Sequence, residues 1–249
     1  MAGRTVKTEA VVLRSLRFGE ADRVLHLYTA ASGRLGAIAK GVRRTRSRVG
    51  GRLEPLSHVE LVLHRGRGEL ATITGVDLVR SHAPAREDPY RLGVGLVGAE
   101  AMLRLFTEQE ASQRAFEALT KFLDLLDVSE PVPGGAPQLD PLGLSFQLKL
   151  LWLSGYLPHV GSCANCGGPG PFAGYSPRAG GVVCRTCADA GETLALSSAG
   201  VAGIEGLLRR PLAEATEVGL TTRAARDVLS VVTSSYEHHG GFRLRTLSA

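Results

Sequence analysis

Four cysteines, all between positions 163 and 187, constrain this chain more than any other feature. They form two pairs, Cys163-Ala164-Asn165-Cys166 and Cys184-Arg185-Thr186-Cys187, separated by seventeen residues. A disulfide framework ties distant parts of a chain together, and cysteines clustered this way cannot do that. Each C-x2-C pair can turn tightly enough to aim both sulfurs at one point, and two such knuckles complete a tetrahedral S4 shell. Soft thiolates in that geometry favour one structural Zn(II), since four protein ligands leave no position for water or substrate. Iron–sulfur ligation and thiol redox chemistry use the same ligands and stay open at this point. Gly, Pro and small polar residues fill 161–181, a loop without an apolar core of its own, so the metal is expected to organise it. His159 is near enough in sequence to buttress a ligand or replace one, although an exposed loop histidine is the plainer reading.

The charge is one-sided. Residues 1–80 carry 15 Lys+Arg against 7 Asp+Glu, whereas residues 81–249 carry 14 against 17. The overall +5 is therefore +8 at one end and −3 at the other, the signature of a nucleic-acid module joined to something else. Its densest part is 39–52, with Lys40, Arg43, Arg44, Arg46, Arg48 and Arg52, no carboxylate and three glycines. Arginines so close repel one another, and a loop this polar is expected to face solvent with no apolar face against a core. Guanidinium forks match phosphate oxygens two at a time, Thr45 and Ser47 add hydroxyls, and the glycines let backbone N–H groups approach. The competing reading is a solvated basic loop with no partner.

From residue 5 to about 81 the pattern is that of strands. Residues 6–13 are β-branched and apolar, a turn falls at Gly19-Glu20-Ala21-Asp22, and 23–28 alternates. Ala31-Ser32-Gly33-Arg34 turns the chain into 35–40; 58–64 alternates with Val59, Leu61 and Leu63 on one face. Arg65-Gly66-Arg67-Gly68 makes a hairpin into 69–79. Five short strands without a long helical signal predict a small barrel or sandwich, and a five-stranded OB-type barrel is a natural host for a nucleic-acid strand. Such grooves stack bases on aromatic rings, and this region offers only Phe18 and Tyr28. Tyr28 reads as core or rim, so binding here is expected to be mainly electrostatic.

Beyond a connector at 82–89, helical spacing takes over. Leu92, Leu96, Ala99, Leu103 and Phe106 mark one stripe, and Phe116, Leu119, Phe122, Leu123 and Leu126 a second. A third helix spans 142–156; Ser197-Ser198 and Thr221-Thr222 cap two more, the last running to Gly240-Gly241 with His238-His239 at its end. Gly93-Val94-Gly95-Leu96-Val97-Gly98 reads G-x-G-x-x-G, but no strand precedes it, so close helix packing explains it better than a dinucleotide. No G-x-S-x-G, P-loop or H-E-x-x-H occurs, and no catalytic set stands out, which predicts a protein that is not an enzyme. No apolar run reaches the roughly eighteen residues of a membrane span, and residues 1–5 open no signal-peptide pattern, which predicts a cytoplasmic chain with no membrane partner.

The chain resembles the bacterial RecO family of recombination mediators over nearly its whole length. The resemblance rests on strand 8–14, Gly19-Glu20-Ala21-Asp22-Arg23, Gly33-Arg34, Ala39-Lys40-Gly41-Val42-Arg43-Arg44 with Ser47-Arg48, Gly68-Glu69-Leu70, the paired cysteines, and Tyr236-Glu237-His238-His239. It implies an α+β multidomain protein: an OB-type domain at 1–81, a helical domain at 82–158 and 191–249, and a four-cysteine zinc module at 159–190 inserted in it. It also implies binding of single- and double-stranded DNA, annealing of complementary strands, and work with RecR to help RecA load onto strands coated by single-stranded-DNA-binding protein, in recombinational DNA repair at the nucleoid. Matching positions imply Lys40, Arg43, Arg44, Arg46 and Arg48 as DNA contacts, with Arg52, Arg34, Arg14 and Arg17 beside them. The rival class is a zinc-ribbon regulator that reads duplex sequence.

Overall fold

The first strand serves two neighbours. β1 (Arg4–Phe18) pairs antiparallel with β4 (His58–Arg65) along residues 4–11 and with β2 (Asp22–Thr29) along residues 10–18. β2 pairs with β3 (Gly33–Ala39) and β4 with β5 (Ala71–Arg80), both antiparallel. A parallel seam, Ala37↔Ala71 and Ile38↔Thr72, joins β3 to β5 and closes a barrel in the order β1-β2-β3-β5-β4. This computed structural model describes residues 4–43, 49–66, 68–107, 110–132 and 134–247. The chain divides into two compact units, Met1–Val128 and Ser129–Ala249, so the boundary falls inside the segment read from sequence as the first helical part.

Alternation fills the barrel. Ala10, Val12, Leu25, Leu27, Leu35, Ala37, Val59, Leu61 and Leu63 all point inward and are buried. At about 1.5–3 kcal/mol for each large aliphatic side chain, this burial is the main force opposing the conformational entropy of 75-odd residues of strand and turn. The register of β1 slips between Val12 and Arg14, leaving Leu13 as a bulge. A bulge inserts one residue and so re-phases everything after it. Val12 faces in, opposite Leu27, and Arg14 faces out, opposite His26.

In the same unit, α1 (Ala83–Glu87) and α2 (Pro89–Leu105) meet at Asp88, whose carboxylate accepts the Arg91 N–H at 2.8 Å. Pro89 follows at the first helical position, where a missing N–H costs nothing. α3 (Gln113–Val128) buries Phe116, Leu119, Phe122, Leu123 and Leu126, the stripe its periodicity predicts. α2 departs from expectation. Of its predicted stripe only Ala99 is fully buried, and the buried face carries Val94, Gly95, Val97, Gly98, Ala101 and Met102. The reason is close approach: a Cβ on Gly95 would lie 2.6 Å from Leu56 and 3.2 Å from Leu126. The G-x-G-x-x-G run is thus a helix face made small so that neighbours fit against it.

In the second unit, α4 (Pro141–Leu153) is capped by Asp140, α5 (Ser198–Arg209) by Ser197 and α6 (Thr222–Ser235) by Thr221. Each cap oxygen accepts the N–H three residues on, one of the donors a helix leaves unsatisfied. α6 stops at Ser235 and widens into a single π-turn, Tyr236–Gly240, instead of running on. Buried Tyr236 explains the change, since its hydroxyl is held by the Gln147 side chain of α4. Lys149 of α4 donates to the carbonyls of Leu207, Leu208 and Arg210, neutralising the C-terminal end of α5. Among the described residues no helix is long and apolar enough to cross a membrane.

Candidate metal centre and nucleic-acid interface

The cysteine segment is less bare than its sequence suggests. β6 (Phe172–Ser176) and β7 (Gly181–Cys184) form a hairpin, with β8 (Leu194–Ala195) on its other side. Tyr175, Val182 and Val183 are buried, and the Tyr175 hydroxyl lies 2.9 Å from Ser235 Oγ on α6. The expectation of a loop without an apolar core is therefore corrected. Its missed signal was Tyr175, the turn Pro177-Arg178-Ala179-Gly180, and Val182-Val183.

The hairpin delivers Cys184, and the knuckles do the rest. Gly167 N–H donates to Cys163 O at 2.8 Å with Gly167 at φ 72, a backbone state that favours glycine; Cys187 N–H donates to Cys184 O at 3.1 Å. All four Sγ atoms lie within 4.8 Å of one another. Cys166 Sγ and Cys184 Sγ are 3.9 Å apart, close to the roughly 3.8 Å edge of a tetrahedron with metal–sulfur bonds of about 2.3 Å. The Cys184 N–H donates to Cys163 Sγ at 3.4 Å. That N–H, with those of Cys166 and Asn165, pulls the Cys163 thiol down to about 6. Cys184 is lowered by the N–H of Cys187. Cys187 is pushed up to about 12 because the sulfurs of Cys184 and Cys166 crowd it. Such a set ionises fully only around a cation, and these residues fit one metal ion. His159 lies outside the sulfur cluster: its ring nitrogen is 2.8 Å from Ser162 Oγ, and its carbonyl accepts from Val182.

In the basic stretch, Gly41 (φ 66) turns the chain and its N–H donates to Asp22 Oδ1 at 2.7 Å. Val42 then enters the barrel core, and Arg43 N–H donates to Ala21 O at 2.9 Å. At the far end Val49 packs on the same core and Leu53 is fully buried. So the loop does have apolar anchors, contrary to expectation: Val42 lies in the barrel core and Val49 packs against it. Arg43 is exposed, with Nη1 3.3 Å from Gly19 O; Lys40, Arg14 and Arg17 are exposed too. Arg52 is half-buried, donating to Val76 O at 2.9 Å and lying 3.9 Å from Asp77. Arg34 is turned elsewhere, donating to Leu103 O near the end of α2 at 2.6 Å. Arg44, Arg46 and Arg48, with Thr45 and Ser47, lie outside the described residues.

The profile of the family described as Recombination protein O N terminal matches residues 1–82, and that described as Recombination protein O C terminal matches residues 86–248. The chain belongs to the Recombination protein O family. A family member from Anaeromyxobacter sp. (strain K), named DNA repair protein RecO, is 34% identical over 244 residues, covering 96% of this chain and 93% of that one. A Rubrobacter xylanophilus protein of the same name is 43% identical over 183 residues, 73% of this chain and 71% of its own length. One from Thermobifida fusca is 38% identical over 204 residues, 82% and 81% of the two chains.

Sequence reasoning placed Tyr28 correctly, since it is fully buried and meets Phe106 edge-on at 5.5 Å between ring centres. It named Phe18 among the rings on offer for stacking and passed over Leu16. The bulge at Leu13 is invisible in the sequence, and only the register reveals that these two share the outward face with Arg14.

Proposed function

We propose that this chain is a DNA-binding recombination mediator in recombinational DNA repair, working at the nucleoid as a binding and assembly factor rather than as an enzyme. The reading gives residues 1–81 an OB-type role as the DNA module, 82–158 and 191–249 a helical scaffold, and 159–190 a structural Zn(II) module. One observation carries it. Lys40 and Arg43 stand on a loop plugged into a closed barrel and tied to the β1–β2 turn, beside exposed Arg14 and Arg17.

Two complementary strands repel as polyanions, and a multivalent cationic surface lowers that repulsion without reading bases. Lys40, Arg43, Arg44, Arg46 and Arg48 supply the charge, with Arg14, Arg17 and Arg52 at its margin, while Arg34 serves the barrel–helix packing. Annealing of single strands, binding of duplex, cooperation with RecR, and help to RecA on strands coated by single-stranded-DNA-binding protein follow from the family. The test is strand annealing by wild type and by Arg43→Ala/Arg44→Ala/Arg46→Ala across a salt series. If about six phosphates are neutralised, the slope of log K against log salt is expected near −4 for single strands, and the folded variant should anneal poorly. A folded variant that anneals as well as wild type would reduce the stretch to a solvated loop. Absence of annealing together with tight discrimination between duplexes would favour the zinc-ribbon regulator.

A further inference from the structure

Resting on that reading, we propose that Phe18, with Leu16 behind it, is a base-stacking platform that makes the barrel prefer unpaired DNA over duplex. On β1 the outward row after the bulge is Arg14, Leu16 and Phe18, opposite His26, Val24 and Asp22 on β2. β3 extends the same face, with Gly36 opposite His26 and Ile38 opposite Val24. The inward row is different in kind: Ser15 sits opposite core Leu25, and Arg17 sits opposite Arg23, whose guanidinium pairs with Glu54 at 2.9 Å. Phe18 keeps 55% of its surface exposed and Leu16 37%.

The charges around this row select its occupant. Lys40 lies two residues beyond Ile38, and Arg43 reaches the carbonyl of Gly19, the residue after Phe18. Arg14 begins the row. The carboxylates nearby are Glu20, in the turn, and Asp22, directly opposite Phe18 and accepting the Gly41 N–H. A phosphate is disfavoured next to Asp22 and favoured at Arg14, Lys40 and Arg43, so a bound strand sets its backbone on the cations and its bases on the ring. Every base has a π-face, which makes such stacking tolerant of sequence. Bases in a duplex are already stacked on one another and have no face to give.

The test uses fluorescence anisotropy with the full metal-loaded chain and three probes: oligo-dT, an abasic oligomer of equal length, and a duplex. Wild type is expected to bind oligo-dT about tenfold more tightly than the abasic strand, on the scale of one stacked base. Phe18→Ala should remove that difference by weakening oligo-dT alone, Phe18→Trp should restore it, and the salt slope should stay unchanged in both. Phe18 is exposed, so both variants are expected to melt like wild type. Equal wild-type affinity for oligo-dT and abasic strand, with a steep salt slope, overturns the platform and leaves the electrostatic reading standing. Equal weakening of both strands by Phe18→Ala also overturns it. Self-association by wild type that Phe18→Ala abolishes assigns the row to a second copy instead. No salt-dependent binding to any probe overturns the platform and the DNA-binding reading together.

Discussion

The barrel and the cysteine module are both built mainly on antiparallel strands, yet they are held together by different means. The barrel encloses a continuous core from Ala10 to Val76, contributed by every strand. The segment 159–190 buries Tyr175, Val182, Val183, Cys163 and little else that is apolar. Its other convergent feature is a cluster of four sulfurs. The barrel is a structure that patterning alone specifies, whereas the module has a hairpin that patterning starts and four sulfurs placed where they could hold one metal ion.

Stripping the metal is expected to have the largest effect and to separate the two regions. A chelator, or Cys166→Ser, should expose amides of 159–190 to hydrogen exchange while β1–β5 stay protected. The energy at stake is on the order of 10 kcal/mol of apparent binding, the scale of small structural zinc sites. Unchanged exchange across the module would show that Tyr175 and the two valines suffice, and the contrast would collapse. Next in size, Leu61→Ala removes a fully buried barrel side chain. It should cost about 2–5 kcal/mol by denaturant titration, and a loss under about 1 kcal/mol would mean that the core collapses to fill the hole.

A smaller effect concerns pH. His82 opens α1 in the left-handed region (φ 49), with Nδ1 2.8 Å from Asp127 Oδ2. Burial lowers its pKa below the ordinary 6.5, against the pull of Asp127. The unfolded chain therefore takes up the proton first as pH falls, so stability contributed here is full above about 6.5 and declines below it. His82→Asn keeps a residue that tolerates φ > 0 and removes the titration. The stability difference between wild type and this variant should be greater at pH 7.5 than at pH 5.5; a difference independent of pH would leave His82 a purely steric part.

Much of this was legible beforehand, for physical reasons that vary along the chain. Strands with strict alternation, such as 58–64, and the α3 stripe declared themselves because one face is wholly buried and the other is wet. The caps at Ser197 and Thr221 were legible because few residues can satisfy a helix's first donors. The α2 face was misread because its burial is decided by closeness of approach, which favours Gly95 over a larger residue. The β6–β7 hairpin was hidden among the glycines, prolines and small polar residues that fill 161–181. The cationic loop was recognised by charge, while its anchoring by Val42 and Val49 depends on a barrel end that only the closed sheet creates.

The bulge at Leu13 divides β1 into two passages under separate constraint. Ahead of it, inward residues answer to the core; behind it, Arg14, Leu16 and Phe18 answer to whatever lies outside. Removing Leu13 would join Val12 to Arg14 without changing their partners, so the ladder would run on regularly with Arg14 still opposite His26. The extra residue thus bends and twists the strand at that point, and its loss is expected to spare the outward row of Arg14, Leu16 and Phe18.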